Sequence, residues 1–185
     1  MTDPAREHPM TEAQYLEFER NSEVRHEFED GLLWAMAGDK KVNNRIAFDI
    51  GQALDPAVLR SGCSIHFSDT RVRTQRGNFY YPDVVVSCPA DTDVYEAQFP
   101  CVIFEILSES TQTRDRTVKF DAYTYTLPSL EQYLLVSSEE RKVEVYTRAE
   151  GGIWTYQRLD EAGTLQVKCL DTTLTLEQMY RNVPL

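Results

Sequence analysis

The feature that most constrains the fold is a run of apolar residues at positions 101–107. A strand with one solvated face alternates apolar and polar residues, whereas this run is nearly continuous. The run is therefore predicted to be a strand covered on both faces, which requires a sheet with further layers above and below it. Only Glu105 breaks the pattern, because it places a carboxylate inside the run.

The remaining chain shows an alternating order of helical and strand patterns. Apolar spacing predicts helices at 11–20, from Asp39 to about 58 and at 113–125, and a short helical turn within 173–180; strands are predicted at 24–28, 32–36, 64–74, 79–87, 131–137, 141–148 and 153–159. Asp30-Gly31 between the first two strands is typical of a hairpin turn. This order predicts a single α+β domain over residues 11–185, after a flexible tail of residues 1–10.

Composition excludes several classes of protein. The 185 residues include 42% hydrophobic residues, enough for one sizeable core, and no apolar run approaches the ~18 residues of a membrane span. The N-terminal residues lack the apolar core of a signal peptide, so we expect a cytoplasmic protein with no membrane association. The four cysteines form no CxxC pair, which argues against a zinc ribbon and favours reduced, mostly buried thiols.

The net charge of −11 bears on possible partners. An acidic chain binds nucleic acid poorly without specific contacts, because affinity for phosphates comes from Lys and Arg. Residues 38–78, however, carry seven basic and four acidic side chains, and such a segment can face a polyanion. Charge by itself leaves both interpretations open.

Two carboxylates are the strongest candidates for chemistry. Asp83 follows Tyr81-Pro82 in a predicted strand, and Glu105 comes 22 positions later. Two neighbouring strands can bring these side chains together, and such oxygen ligands suit Mg²⁺ or Mn²⁺. A cluster of carboxylates would raise at least one pKa among Glu27, Asp83 and Glu105. The alternative is that Glu105 pairs with an arginine or points outward at a strand end.

A second group of residues lies on the helix that follows. Asp115, Lys119 and Tyr123 are spaced i, i+4, i+8 and share one helical face. In one interpretation Lys119 points back toward Glu105 and presents an ammonium to a metal site, with Asp115 and Tyr123 as supporting groups. In the other, Asp115 and Lys119 form an ordinary surface ion pair. Glu27 alternates with the apolar Phe28, so a solvated glutamate is expected there.

These residues lie in segments that resemble the bacterial Uma-type family, described as "putative restriction endonucleases" and placed in the PD-(D/E)-x-K nuclease superfamily. The matching segments are 15–16, 26–31, 79–86, 104–111, 115–116, 119–120, 123, 128–136 and 143–146. The resemblance implies a restriction-endonuclease-like fold, with a mixed central sheet flanked by helices and an N-terminal helix and hairpin. It also implies that Asp83 and Glu105 bind the metal and that Glu27 is an additional acidic residue of the site.

The lysine of the superfamily motif is displaced in this chain. It would fall two residues after Glu105, where the sequence has Leu107. The resemblance implies that the lysine has moved to the following helix, and Lys119 fits this position.

Three functions follow as hypotheses. The first, which we favour, is an Mg²⁺- or Mn²⁺-dependent nuclease acting on DNA, with Asp83, Glu105, Lys119 and Glu27 as catalytic residues. The second is a protein of the same fold that binds nucleic acid or protein without cleavage, because fold does not imply function. The third, suggested only by the aromatic content, is a subunit that serves oligomer assembly. A homodimer or higher homo-oligomer is expected.

Overall fold

The computed structural model describes residues 9–36, 38 and 40–185. Residues 1–8 of the expected tail, and Asp39 as the expected helix cap, lie outside the described residues. The helices are α1 (Glu12–Asn21), α2 (Lys41–Ser61), α3 (Gln112–Arg114), α4 (Phe120–Thr126) and α5 (Leu176–Met179), with a π-helical turn at Asp115–Lys119. The strands are β1 (His26–Glu29), β2 (Leu32–Ala35), β3 (Ser64–Phe67), β4 (Val72–Arg73), β5 (Phe79–Tyr80), β6 (Val84–Ser87), β7 (Pro100–Leu107), β8 (Gln132–Ser137), β9 (Lys142–Arg148), β10 (Trp154–Asp160), β11 (Thr164–Val167) and β12 (Thr172–Thr175).

The centre of the fold is a six-stranded mixed sheet in the order β10-β9-β8-β7-β6-β3. The predicted buried strand is β7, and every residue of it is buried. It pairs in parallel with β8 and antiparallel with β6, and β8, β9 and β10 form the predicted meander. The predicted α+β class with a mixed central sheet flanked by helices is confirmed.

Layers of structure cover both faces of this sheet. One face packs against α2, α5 and the β11–β12 hairpin around an aliphatic core that includes Ile50, Phe104 and Leu134. The other face packs against the helical segment 112–126 around Ile103 and Tyr133. The double cover explains why β7 is apolar along nearly its whole length.

A smaller four-stranded sheet in the order β2-β1-β5-β4 carries the N-terminal hairpin. The hairpin turns at Asp30 and Gly31, which have φ of 48° and 87°, as the Asp-Gly pair predicts. Thr11 caps α1 in a capping box, and Met10, the last residue of the expected tail, is instead buried beside the first helix. The predicted strands 64–74 and 79–87 are each divided in two, because this long hairpin contributes β3 and β6 to the main sheet and β4 and β5 to the small one.

The prediction of reduced cysteines is wrong. Cys63 is bonded to Cys88, and Cys101 to Cys169, across 25 and 68 residues of sequence. Adjacent strands bring the first pair of sulfurs together, and a 3₁₀ turn at Lys168–Leu170 brings Cys169 to Cys101. None of the described helices is both long enough and apolar enough to cross a membrane.

Candidate active site at Asp83, Glu105 and Lys119

Asp83 and Glu105 lie opposite each other on neighbouring strands. Val84 pairs with Phe104 in the antiparallel β6–β7 ladder, so the next position of the register places Asp83 against Glu105 on the same face. The Asp83 Oδ2 atom accepts a hydrogen bond of 2.6 Å from the backbone N–H of Ile106. Asp83 is half-buried, whereas Glu105 is only 3% exposed. The pair therefore presents two carboxylates to the helical segment 112–126.

Glu105 is held by two side chains of that segment. Its Oε1 atom accepts hydrogen bonds from Lys119 Nζ at 3.2 Å and from the Tyr123 hydroxyl at 3.1 Å. Glu105 thus points neither into solvent nor at an arginine, so the alternative interpretation of this residue is wrong. Its cationic partner is a lysine from the covering helix.

A π-helical turn places the lysine. The segment 112–126 is continuous, but its middle turn, Asp115–Lys119, is wider than an α-helix, a feature that is frequent at functional sites. Asp115, Lys119 and Tyr123 are all buried, so the interpretation of Asp115–Lys119 as a surface ion pair is wrong. The Tyr133 hydroxyl donates to the backbone oxygen of Asp115 at 2.9 Å and fixes this turn to β8.

The ammonium of Lys119 contacts three carboxylates. Its Nζ lies 2.8 Å from Glu27 Oε1, 3.2 Å from Glu105 Oε1 and 3.5 Å from Asp115 Oδ1. The side chain therefore points toward Glu105, as predicted from the helical spacing.

Glu27 is buried rather than solvated, so that expectation is wrong. The alternation along β1 does place Glu27 opposite Phe28, which packs against α1. The other face of β1, however, is covered by the segment that carries Lys119. The local pattern does not predict the burial of Glu27, because it does not show which layer covers that face of β1.

Burial and charge both act on the protonation of these groups. Burial raises the pKa of Glu105 well above its usual range; Lys119 opposes this effect, and Asp115, Asp83 and Glu27 reinforce it. A raised pKa in the cluster is thus confirmed, but desolvation is a larger cause than the predicted repulsion. Burial lowers the pKa of Lys119, but Glu105, Glu27 and Asp115 outweigh it and hold that pKa well above its usual range. Lys119 is therefore an ammonium at neutral pH.

Arg114 completes the cluster and was missed in the sequence. Its guanidinium donates to Glu29 Oε2 at 2.7 Å and to Glu27 Oε2 at 3.2 Å, and it stacks on Trp34 with its central carbon 4.7 Å from the ring centroid. Glu27 and Glu29 share one face of β1, which is a signal that a basic partner would lie there. Arg114 fixes the second carboxylate oxygen of Glu27 while Lys119 faces the first.

The donor set suits a hard divalent cation. Glu27, Glu29, Asp83, Glu105 and Asp115 carry five formal negative charges against the two positive charges of Lys119 and Arg114. Glu27 Oε1 is buried, and its partner is the Lys119 ammonium at 2.8 Å. Oxygen ligands with excess negative charge suit Mg²⁺ and Mn²⁺, and Asp83 and Glu105 are the residues that could hold one such ion.

Replacing Tyr123 with phenylalanine tests how Glu105 is held. We expect the free energy of unfolding to fall by about 1.5–3 kcal/mol, because a hydrogen bond to a charged group is lost in a buried site. The pKa of Glu105 should rise further, since the lost bond favours the ionised form. Urea unfolding of metal-free protein measures the first effect. Tyr125→Phe on the exposed side of the same helix is the matched control, and an equal loss in both variants would contradict the assignment.

Comparison with known proteins identifies the family of this chain. A family model described as "Putative restriction endonuclease", Uma2, matches residues 12–177. The chain belongs to the Uma2 family. The resemblance inferred from the sequence is thereby confirmed, and the matched region contains every residue of the carboxylate–lysine cluster.

Relatives and solved structures extend the comparison. Two uncharacterized proteins of Synechocystis are each 30% identical, one over 173 residues (92% of this chain and 90% of the relative) and one over 155 residues (81% and 87%). A crystal structure titled as a "putative nuclease belonging to DUF820" from Anabaena variabilis has a TM-score of 0.76 at 15% identity, covering 94% of this chain and 98% of the other. That likeness shows that the Uma2 chain shares its fold.

Proposed function

We propose that this Uma2 chain is a metal-dependent nuclease that hydrolyses phosphodiester bonds in DNA. The observation that carries the proposal is the buried Glu105, opposite Asp83 and in contact with the ammonium of Lys119. The proposal also rests on membership of a family described as "Putative restriction endonuclease". Asp83 and Glu105 would hold Mg²⁺ or Mn²⁺, which when bound supplies an activated water and neutralises phosphate charge.

The protein's own groups have distinct roles in this proposal. Lys119 remains protonated, so it serves as a fixed positive charge for the developing phosphorane and not as a general base. Asp115 and Glu27 hold its ammonium in place, and Arg114 in turn holds Glu27. Tyr123 orients Glu105 through its hydroxyl. Such a preorganised set needs little rearrangement when charge develops on the substrate.

The basic segment contributes less to DNA binding than its composition suggests. Arg45 pairs with Asp49 at 3.1 Å, Arg71 with Glu96 at 2.9 Å, and Arg73 with Glu12. Three of its seven basic side chains are thus already neutralised. Binding of DNA by this acidic chain would then depend on the metal, which neutralises the site, and its salt dependence should be shallow because few Lys and Arg side chains contact phosphate.

Cleavage assays test the proposal directly. Purified protein with Mg²⁺ or Mn²⁺ should convert supercoiled, linear or single-stranded DNA to products, and Asp83→Asn should lower the rate by more than about 100-fold. Asp121→Asn, an exposed substitution on α4, is the control and should cleave like the parent protein. Equal rates for Asp83→Asn and the parent would contradict the role of Asp83 in cleavage. Binding of DNA without cleavage would favour the non-catalytic alternative.

A further inference from the structure

The four cysteines form a second cluster, away from the carboxylates. The Sγ atoms of Cys88, Cys101 and Cys169 all lie within 4.8 Å of one another, and the sulfur of Cys63 is bonded to that of Cys88. Three sulfurs therefore meet in one place and Cys63 lies beside them, although no two of the four residues are close in sequence. Cys101 is the second residue of β7 and Glu105 the sixth, about 13 Å further along the strand.

The sheet holds three of these residues together independently of any bond between sulfurs. Ser64 pairs with Ser87, so Cys63 and Cys88 extend the β3–β6 ladder at the same end. Cys88 also follows the strand that pairs with β7, and its N–H donates to Phe99 at 3.0 Å. Reduction of the disulfides would leave these three backbone positions adjacent, because strand pairing fixes them.

A β-bulge in the β6–β7 ladder orients the side chain of Cys101 toward this cluster. Val86 pairs with Val102 but Ser87 with Pro100, so Cys101 is the extra residue of a bulge. Strict alternation would place Cys101 on the face of Ile103 and Glu105. Instead it packs in the core on the opposite face, and a bulge is the usual means of re-aiming one side chain of a strand.

The buried side chain of Gln132 holds the fourth cysteine, Cys169, near the other three. Cys169 lies in the 3₁₀ turn Lys168–Leu170, and the N–H of Lys168 donates to the Gln132 side-chain oxygen at 3.0 Å. The amide nitrogen of Gln132 donates to the backbone oxygen of Gln166 at the same distance. Gln132 begins β8 beside β7, so this buried amide ties the turn to the end of the sheet that carries the other three cysteines.

We infer that the reduced form of this cluster is a binding site for a soft divalent metal ion, Zn²⁺, with Cys63, Cys88, Cys101 and Cys169 as ligands. Tetrahedral zinc with four thiolates needs Zn–S distances of ~2.3 Å, hence sulfurs roughly 3.8 Å apart, and side-chain rotation can supply this spacing here. The surroundings are apolar, as in closed structural sites. Zinc and disulfides exclude each other, because the metal requires thiolates.

A dithiol reductant converts the disulfide form of the cluster into the thiol form. Two dithiol molecules each give two electrons and two protons to one disulfide, which yields four protein thiols and two oxidised dithiols. Zinc binding then displaces the four thiol protons and forms four Zn–S bonds. The site is separate from the carboxylate cluster, so this inference does not depend on the proposed nuclease function.

Metal titration of the reduced full-length protein tests the inference. Protein reduced with dithiothreitol and desalted without oxygen should bind one Zn²⁺ per chain, and its four thiols should change from reactive to protected against alkylation. Cobalt(II) in place of zinc should show the intense thiolate charge-transfer absorption of a tetrahedral sulfur site. The oxidised protein should show neither effect. These readouts use the parent protein and do not depend on a variant that folds.

Variants then locate the metal. Cys101→Ser and Cys169→Ser should each weaken zinc binding by more than about 100-fold, whereas Asp121→Asn, an exposed substitution on α4, should bind zinc like the parent. Thiols that stay reactive in the presence of zinc, or cobalt spectra typical of oxygen ligands, would overturn the inference. Equal binding by the parent and both cysteine variants would overturn it too.

Discussion

Glu105→Gln should abolish nuclease activity while leaving the protein folded. The substitution keeps the shape and an acceptor for Lys119 and Tyr123, but it removes the charge that would hold the metal. Loss of an outer-shell partner typically costs ~10–100-fold in metal affinity or activity, so loss of a direct ligand should cost more than about 100-fold. Cleavage rates at saturating Mg²⁺ and Mn²⁺ and calorimetric metal titration measure both effects.

The free energy of unfolding distinguishes a loss of catalysis in Glu105→Gln from a loss of folded protein. Burial already disfavours the ionised form of Glu105 by raising its pKa, and Lys119 keeps Glu27 and Asp115 as partners. We therefore expect the free energy of unfolding of Glu105→Gln to stay within about 1.5 kcal/mol of the parent value. Glu109→Gln, exposed just beyond the same strand, is the matched control. A folded Glu105→Gln protein that cleaves DNA at the parent rate would refute the site.

Lys119→Met should lower both stability and activity. The ordinary cost of removing an exposed ion pair is under about 1 kcal/mol. Lys119 is instead 7% exposed and serves three carboxylates, so its loss leaves buried charges unpaired. Breaking such a buried pair typically costs ~3–5 kcal/mol, and we expect this loss in metal-free protein at neutral pH. Cleavage should fall by orders of magnitude, since the ammonium acts on charge that develops in the transition state.

The dependence on pH has a definite sign. Without Lys119, the pKa of buried Glu105 rises further above its value in the unfolded chain. Between these two pKa values the folded state binds more protons, so the free energy of unfolding of the variant should fall as pH rises through that window. The deficit relative to the parent should be smallest near pH 4 and largest above the folded pKa of Glu105. Urea denaturation across pH with chelator present measures this trend.

Metal ions should partly rescue the Lys119→Met protein. A divalent cation would neutralise the unpaired carboxylates, so Mg²⁺ binding should persist or tighten in the variant and raise its unfolding midpoint more than that of the parent. Lys142→Met, a partly exposed lysine on β9, is the control and should change little. A Lys119→Met protein as stable and as active as the parent would show that the buried cluster has neither role.

The backbone pattern around the site could be predicted from the sequence because it depends on local periodicity. A nearly continuous apolar run predicted β7, and the spacing of Asp83 and Glu105 permitted neighbouring strands that place them opposite each other. The i, i+4, i+8 spacing placed Asp115, Lys119 and Tyr123 on one face, and a π-helical turn within the segment leaves that face intact. Each of these features is determined by residues within one element or by two adjacent strands.

Tertiary structure decided which layer covers each face and which distant residues meet. The local pattern predicts that Glu27 is exposed. The residue is buried instead, because the segment 112–126 covers its side of β1. Arg114 forms ion pairs with Glu27 and Glu29, which lie more than 80 residues earlier in the sequence. The cysteines carry no spacing signal, because separate strands, a bulge and a side-chain anchor bring them together. Sequence periodicity records which side of an element is apolar, whereas the identity of the group packed against a given side chain depends on the arrangement of the whole chain.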